Sequence, residues 1–63
     1  MDNLPKEKFF RVYANLPIGL RDQIVFTLPD IGPMSWNAVY AEVNNNTKIG
    51  DTIVAKLIEL KII

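Results

Sequence analysis

The feature that most constrains this chain is the apolar pattern of residues 47 to 60. When these residues are placed on a helix at about 100° per residue, the apolar side chains cover roughly half of the circumference. Those side chains are Ile49, Ile53, Val54, Leu57, Ile58 and Leu60. A helix on the surface of a small domain ordinarily buries a narrower stripe. The pattern therefore predicts a helix that must be covered from two directions, by its own chain or by a partner.

A second helix is predicted immediately before it, over residues 35 to 44. Ser35 is a good N-cap residue, because its hydroxyl can accept a hydrogen bond from a free amide of the first turn. The apolar and aromatic residues that follow recur at helical spacing on one face. They are Trp36, Val39, Tyr40 and Val43. Three asparagines at residues 44 to 46 end this helix, since asparagine tolerates the left-handed backbone conformation. Thr47 can then cap the next helix.

The first half of the chain predicts one helix and one strand. A helix is expected over residues 5 to 16, with Phe9 and Tyr13 on its apolar face and Pro17 ending it. Residues 23 to 28 alternate at the period of a strand, and the turn residues 29 to 33 follow them. A lone strand needs a partner. We expect the β-branched tail at residues 61 to 63 to supply it.

The size and composition of the chain predict a single domain, residues 1 to 63. A chain of 63 residues buries only about 60% of the surface that it exposes when unfolded. It has no cysteine and no histidine, so a disulfide framework and the common zinc sites are excluded. A hydrophobic content of 49% is high for this length. We expect it to supply a compact core and an oligomer interface.

The predicted order of elements is helix, strand, helix, turn, helix and short strand, and the chain ends in the sequence Leu-Ile-Glu-Leu-Lys-Ile-Ile over residues 57 to 63. This arrangement resembles the winged-helix group of helix-turn-helix domains, whose last helix often runs through such an ending into a β-strand. The resemblance covers about residues 24 to 63. It implies a mostly α fold with a small β element: three helices, one or two short strands, and a truncated wing. Lys61 stands where such domains often have glycine, so the helix is expected to end differently or to continue.

The residue inventory argues against an enzyme. Nucleophilic triads need histidine or cysteine, the single serine at Ser35 is explained as a helix cap, and no glycine-rich phosphate loop is present. The carboxylates do not cluster, since Asp51 and Glu59 are two helical turns apart. We therefore expect no catalytic, metal-binding or cofactor-binding residues and no cofactor.

The charge and hydropathy of the chain limit which partners and which cellular location we expect. Seven basic and seven acidic residues give a formal net charge of zero, and the isoelectric point is near 6.1. No global field therefore favours nucleic acid or an anionic membrane. The sequence has neither the run of about 18 apolar residues that a membrane span needs nor the apolar core of a signal peptide. We expect a soluble cytoplasmic protein that does not bind membranes.

The first functional hypothesis is a non-enzymatic interaction module. It would bind a protein partner or a second copy of itself, as a dimer, through an apolar helical surface. The candidate contacts are Trp36, Tyr40, Ile58, Ile62 and Ile63. Tyrosine and tryptophan are favoured interface anchors, but in so small a protein Trp36 and Tyr40 would also serve as core residues.

The second hypothesis follows from the resemblance, which implies DNA binding by the helix at residues 47 to 60. Domains of this kind place the second helix of the pair in the major groove. The implied nucleic-acid contacts are Lys48, Thr52 and Lys56, with Asn45 or Asn46 near a phosphate. The charge of the chain does not favour this hypothesis, because two carboxylates share the same arc of the helix. The alternative is an ordinary solvated face.

Overall fold

The computed structural model describes residues 4 to 63 as three helices and a two-stranded sheet. In chain order the elements are α1 (Leu4–Ala14), a single 3-10 turn (Ile18–Leu20), β1 (Ile24–Leu28), β2 (Gly32–Ser35), α2 (Trp36–Asn44) and α3 (Lys48–Glu59). The fold is mostly α with a small β element, as the sequence predicts. None of the helices in this part of the chain has the length and apolar character that a membrane crossing requires.

The two strands form an antiparallel hairpin that precedes the helix pair. Phe26 pairs with Met34 and Leu28 pairs with Gly32. Gly32 has a φ of 106°, a conformation that suits glycine, and it lies where the chain re-enters the sheet after the turn. The predicted partner of β1 was wrong, because residues 61 to 63 form no strand. A short turn closes the hairpin at far less entropic cost than a contact with the distant tail would require.

The chain ends α3 with a left-handed residue, although that residue is not glycine. Lys61 has a φ of 62°. The amide of Ile62 donates to the carbonyl oxygen of Leu57 at 2.8 Å, and the amide of Lys61 donates to that of Ile58 at 3.0 Å. This is the Schellman arrangement. It turns the last residues back onto the helix and explains why they are not free to extend as a strand.

The core lies between the three helices and one face of the hairpin. Its fully or almost fully buried side chains are Phe9, Met34, Val39, Val43, Ile53, Val54 and Leu57. Phe9 is the contribution of α1, and its ring stacks on that of Trp36 with the centroids 6.1 Å apart. The core therefore joins the first helix to both members of the helix pair.

The turn between α2 and α3 holds the two helices in close contact. The Thr47 hydroxyl accepts from the amide of Gly50 at 3.0 Å and donates to the Glu42 carboxylate at 2.6 Å. The amide of Thr47 also donates to the carbonyl oxygen of Glu42 at 3.1 Å, and Asn46 takes the left-handed position with a φ of 57°. A Cβ at Gly50 would lie 2.8 Å from the backbone carbonyl carbon of Glu42. The predicted asparagine turn and threonine cap are thus confirmed.

We predict that Gly50→Ala destabilises the fold. Alanine favours a helix over glycine by about 1 kcal/mol, but the new methyl group would meet the α2 backbone, and such overpacking typically costs about 1–3 kcal/mol. Urea unfolding followed by circular dichroism measures the difference. Gly19→Ala is the matched control, because nothing lies within 4 Å of a Cβ there. Equal stability of the Gly50→Ala protein and the wild type would show that α2 and α3 are farther apart.

We predict that Lys61→Gly stabilises the fold by up to about 1 kcal/mol, because the left-handed conformation costs a residue with a Cβ about 1–2 kcal/mol and costs glycine little. Thermal unfolding measures the change as a rise in the melting temperature. Ala55→Gly is the control, since glycine inside the exposed face of α3 should lower stability by about 1 kcal/mol. A lower melting temperature for Lys61→Gly would contradict the Schellman ending.

Candidate interaction site

A cleft of about 280 Å³ lies between the tip of the hairpin and the first two turns of α3. The residues that line it are Leu28, Pro29, Asp30, Ile31, Lys48, Ile49 and Thr52. Two of its large aliphatic side chains are accessible to solvent: Ile31 is 51% exposed and Ile49 is 37% exposed. The cleft is therefore an apolar concavity with polar groups at its margin.

Local structure explains why these residues meet. The hairpin turn follows β1 directly, so Leu28 and Ile31 lie at its two sides. The Thr47 cap fixes where α3 begins. Residues 48, 49 and 52 consequently face the turn from within the first two turns of the helix. The hairpin and the cap together build the walls of the cleft.

Two opposite charges flank the cleft. Asp30 belongs to the hairpin wall and Lys48 to the α3 wall. Within residues 4 to 63 the ion pairs join Lys6 to Asp51 and Lys56 to Glu59. Asp30 and Lys48 therefore have no ionic partner in the described chain, and both are exposed. A bound segment could pair with either of them.

The structure places most of the predicted interaction surface against the core. Four of its residues are half-buried and pack on core side chains: Trp36, Tyr40, Ile58 and Ile63. Ile62 is the exception, at 43% exposure. The other exposed large aliphatic side chains of residues 4 to 63 are Leu4, Ile18, Leu20, Ile24, Ile31, Ile49 and Leu60. Ile31 and Ile49 are the two that line the cleft.

An aromatic cluster joins α1 to α2 on another side of the molecule. The rings of Tyr13 and Tyr40 stack with their centroids 4.5 Å apart, and the guanidinium of Arg21 lies 4.4 Å from the Tyr13 centroid. The Tyr13 hydroxyl donates to Asn37 at 2.5 Å, and the Asn37 amide donates to Asp22 at 2.7 Å. These groups are engaged with one another within the chain. The cluster therefore stabilises the packing of α1 against α2.

The five predicted nucleic-acid contacts differ in how free they are to contact a ligand. Lys48 and Thr52 are exposed and line the cleft. Asn45 is the C-cap of α2, where its amide donates back to the carbonyl oxygen of Ala41. It therefore belongs to the turn that joins the helices.

The other two predicted contacts have partners inside the chain. The ammonium group of Lys6 donates to the Asn46 side chain and lies 3.7 Å from the Asp51 carboxylate, so α1 is tied to the turn. The ammonium group of Lys56 lies 3.6 Å from the Glu59 carboxylate. The exposed Lys56 to Glu59 pair is weak, but it reduces the positive charge that the C-terminal half of α3 presents.

Sequence reasoning missed the hairpin wall of the cleft. The sequence predicts only a turn over residues 29 to 33 and indicates no role for Ile31. The available signal was an isoleucine among turn-forming residues, where a large aliphatic side chain has no local reason to occur. Ile49 was recognised only as part of the apolar arc of α3.

Comparison with protein-family models, with curated proteins and with solved structures gives no match to this chain.

Proposed function

We propose that this chain is a non-enzymatic protein-interaction module whose docking site is the cleft between the hairpin turn and α3. The observation that carries the proposal is the exposure of Ile31 and Ile49 on facing walls of one concavity, beside the half-buried Leu28. A partner that buries apolar surface gains free energy, and Ile31 and Ile49 offer such surface from both walls of the cleft.

The lining of the cleft suits an aliphatic side chain. Two of the lining residues, Ile31 and Ile49, are exposed aliphatic groups, and the volume of about 280 Å³ admits one anchor of leucine size. Full burial of such a side chain contributes about 1.5–3 kcal/mol. Asp30 and Lys48 would set the orientation of the bound segment and add little affinity.

The chemistry of the cleft supports a binding role. Its polar side chains are Asp30, Lys48 and Thr52. A covalent mechanism needs a nucleophile with an adjacent base, oriented by a third group. A lone carboxylate and an ammonium group on opposite walls do not form such an arrangement.

We predict that a selection from displayed random heptapeptides, with the wild-type protein as bait, enriches sequences that carry one bulky aliphatic residue. The Ile49→Asp bait should not bind these peptides, because the substitution places a carboxylate in the apolar wall of the cleft. Aspartate in the first turn of a helix is favourable to the helix dipole, so the variant should remain folded.

Ile18→Asp is the matched control for this selection. Ile18 is 79% exposed and does not line the cleft, so the Ile18→Asp bait should retain the selected peptides. Circular dichroism checks the fold of both variants. If Ile49→Asp retains peptides as well as the wild type does, the cleft is not the docking site.

DNA binding through α3 is a second candidate, and the helix pair is the observation that favours it. A turn of three residues joins α2 to α3, as in helix-turn-helix domains, and Lys48 and Thr52 are exposed near the N-terminus of α3 where base edges would be contacted. A winged-helix relationship would have to accommodate the hairpin, which precedes the helix pair. Because Lys48 and Thr52 also line the cleft, DNA and a docked peptide would compete.

We predict that, if DNA is the ligand, the double reversal Lys48→Glu with Lys56→Glu weakens binding to a mixed-sequence duplex at low salt. Each lost phosphate contact should reduce the slope of log affinity against log salt by about 1. Fluorescence anisotropy across a salt series measures both effects. The reversal Lys8→Glu with Arg11→Glu, at exposed positions of α1, is the charge-matched control. Equal affinities of the wild type and the α3 variant would remove this candidate.

A further inference from the structure

The exposed side of α3 carries a stripe of six residues that are spaced three or four positions apart. They are Lys48, Asp51, Thr52, Ala55, Lys56 and Glu59, and all are exposed. This spacing places them on one side of the helix. The two uncharged members, Thr52 and Ala55, lie at the centre, where small side chains allow another helix to approach closely.

The order of charges along this stripe is self-complementary. From the N-terminus it reads positive, negative, positive, negative, at residues 48, 51, 56 and 59. An antiparallel copy reverses the order and sets Lys48 opposite the partner's Glu59 and Asp51 opposite the partner's Lys56. A parallel copy would align like charges. A twofold interface repeats every such contact, because the same patch is used on both molecules.

Two exposed aliphatic side chains lie along one edge of the same stripe. Ile49 and Leu60 are eleven residues apart, which is about three turns and leaves them only about 20° apart around the helix. Leu60 is 57% exposed. In the antiparallel arrangement, Leu60 of one copy comes to about the level of the partner's Ile49 and on the same side of the pair. Ile49 is the α3 wall of the cleft.

We propose that the occupant of the cleft is a second copy of this chain. The two α3 helices pack antiparallel about a twofold axis, and Leu60 of each copy enters the partner's cleft. The inference rests on the proposed function, since it names the partner of the same site. With a single twofold axis, the opposite charges are paired, the small central residues face each other, and Leu60 of each copy reaches the partner's cleft.

The ion pairs within each chain do not oppose this arrangement. The Lys56 to Glu59 pair is exposed on both sides, with a nitrogen-to-oxygen distance of 3.6 Å. In the Lys6 to Asp51 pair, at 3.7 Å, the Asp51 carboxylate is exposed although Lys6 is half-buried, so Asp51 remains accessible to a partner. An exposed pair contributes little to stability, so Lys56 and Glu59 can exchange partners on association at small cost. The contact is small and half polar. We therefore expect a reversible dimer rather than an obligate one.

Sedimentation equilibrium from about 10 µM to 1 mM tests the proposal. The wild type should pass from monomer to dimer within this range. Leu60→Ala should weaken association at least about tenfold, because the symmetric contact loses two anchors at once. Ile18→Asp should leave association unchanged.

A charge reversal tests the antiparallel geometry. Lys48→Glu alone should weaken the dimer, and Lys48→Glu combined with Glu59→Lys should restore it, since the opposite pair is then rebuilt with its signs exchanged. Both changes put charges where the helix dipole favours them, so the variants should fold. If Lys48 acted only in folding, the second substitution, Glu59→Lys, would not restore dimerisation.

Three results would overturn the inference: a wild type that remains monomeric at 1 mM, a dimer that is insensitive to Leu60→Ala, or a reversal that is not rescued. A monomer that still selects aliphatic peptides through Ile49 would reject the second copy and support the cleft as a site for another protein. A monomer that selects none would reject the proposed function as well.

Discussion

The close approach of α2 and α3 is the contact on which the rest of the structure depends. Gly50 allows the two backbones to touch, and Thr47 uses one hydroxyl to cap α3 and to hold Glu42 of α2. The crossing of the pair then fixes where Ile53 and Leu57 enter the core and where Phe9 of α1 meets them. It also fixes the first turns of α3 beside the hairpin, so the contact between the two helices positions the cleft.

The helix pair could be predicted from sequence because its signals are local. Ser35 and Thr47 are capping residues directly before helical patterns, and the asparagines supply the left-handed turn. The partner of β1 could not be predicted in the same way, because Gly32 and Pro33 read as turn residues. Their pairing in β2 depends on the reversal at residues 29 to 31 and on the burial of Met34, both of which are tertiary effects.

The candidate site was less predictable than the fold for a related reason. A periodic pattern distinguishes apolar from polar faces, but it does not say which apolar residues the chain itself will cover. Trp36 and Tyr40 have the chemistry of interface anchors, and α1 covers them with Phe9 and Tyr13. Ile31 has no pattern around it and remains uncovered. Exposure is a property of the packed chain and not of the residue type.

The apolar arc of α3 links these points. Its breadth predicts cover from two directions. Both α1 and α2 pack on the helix and bury Ile53, Val54 and Leu57, whereas Ile49 and Leu60 at the edge of the arc stay exposed. The hairpin reaches Ile49 from that side but stops short of closing over it. The edge of the arc is therefore apolar surface that the described chain leaves partly open. A partner packed there, as proposed above, would bury Ile49 and Leu60 and enlarge the small apolar core that a 63-residue chain can form.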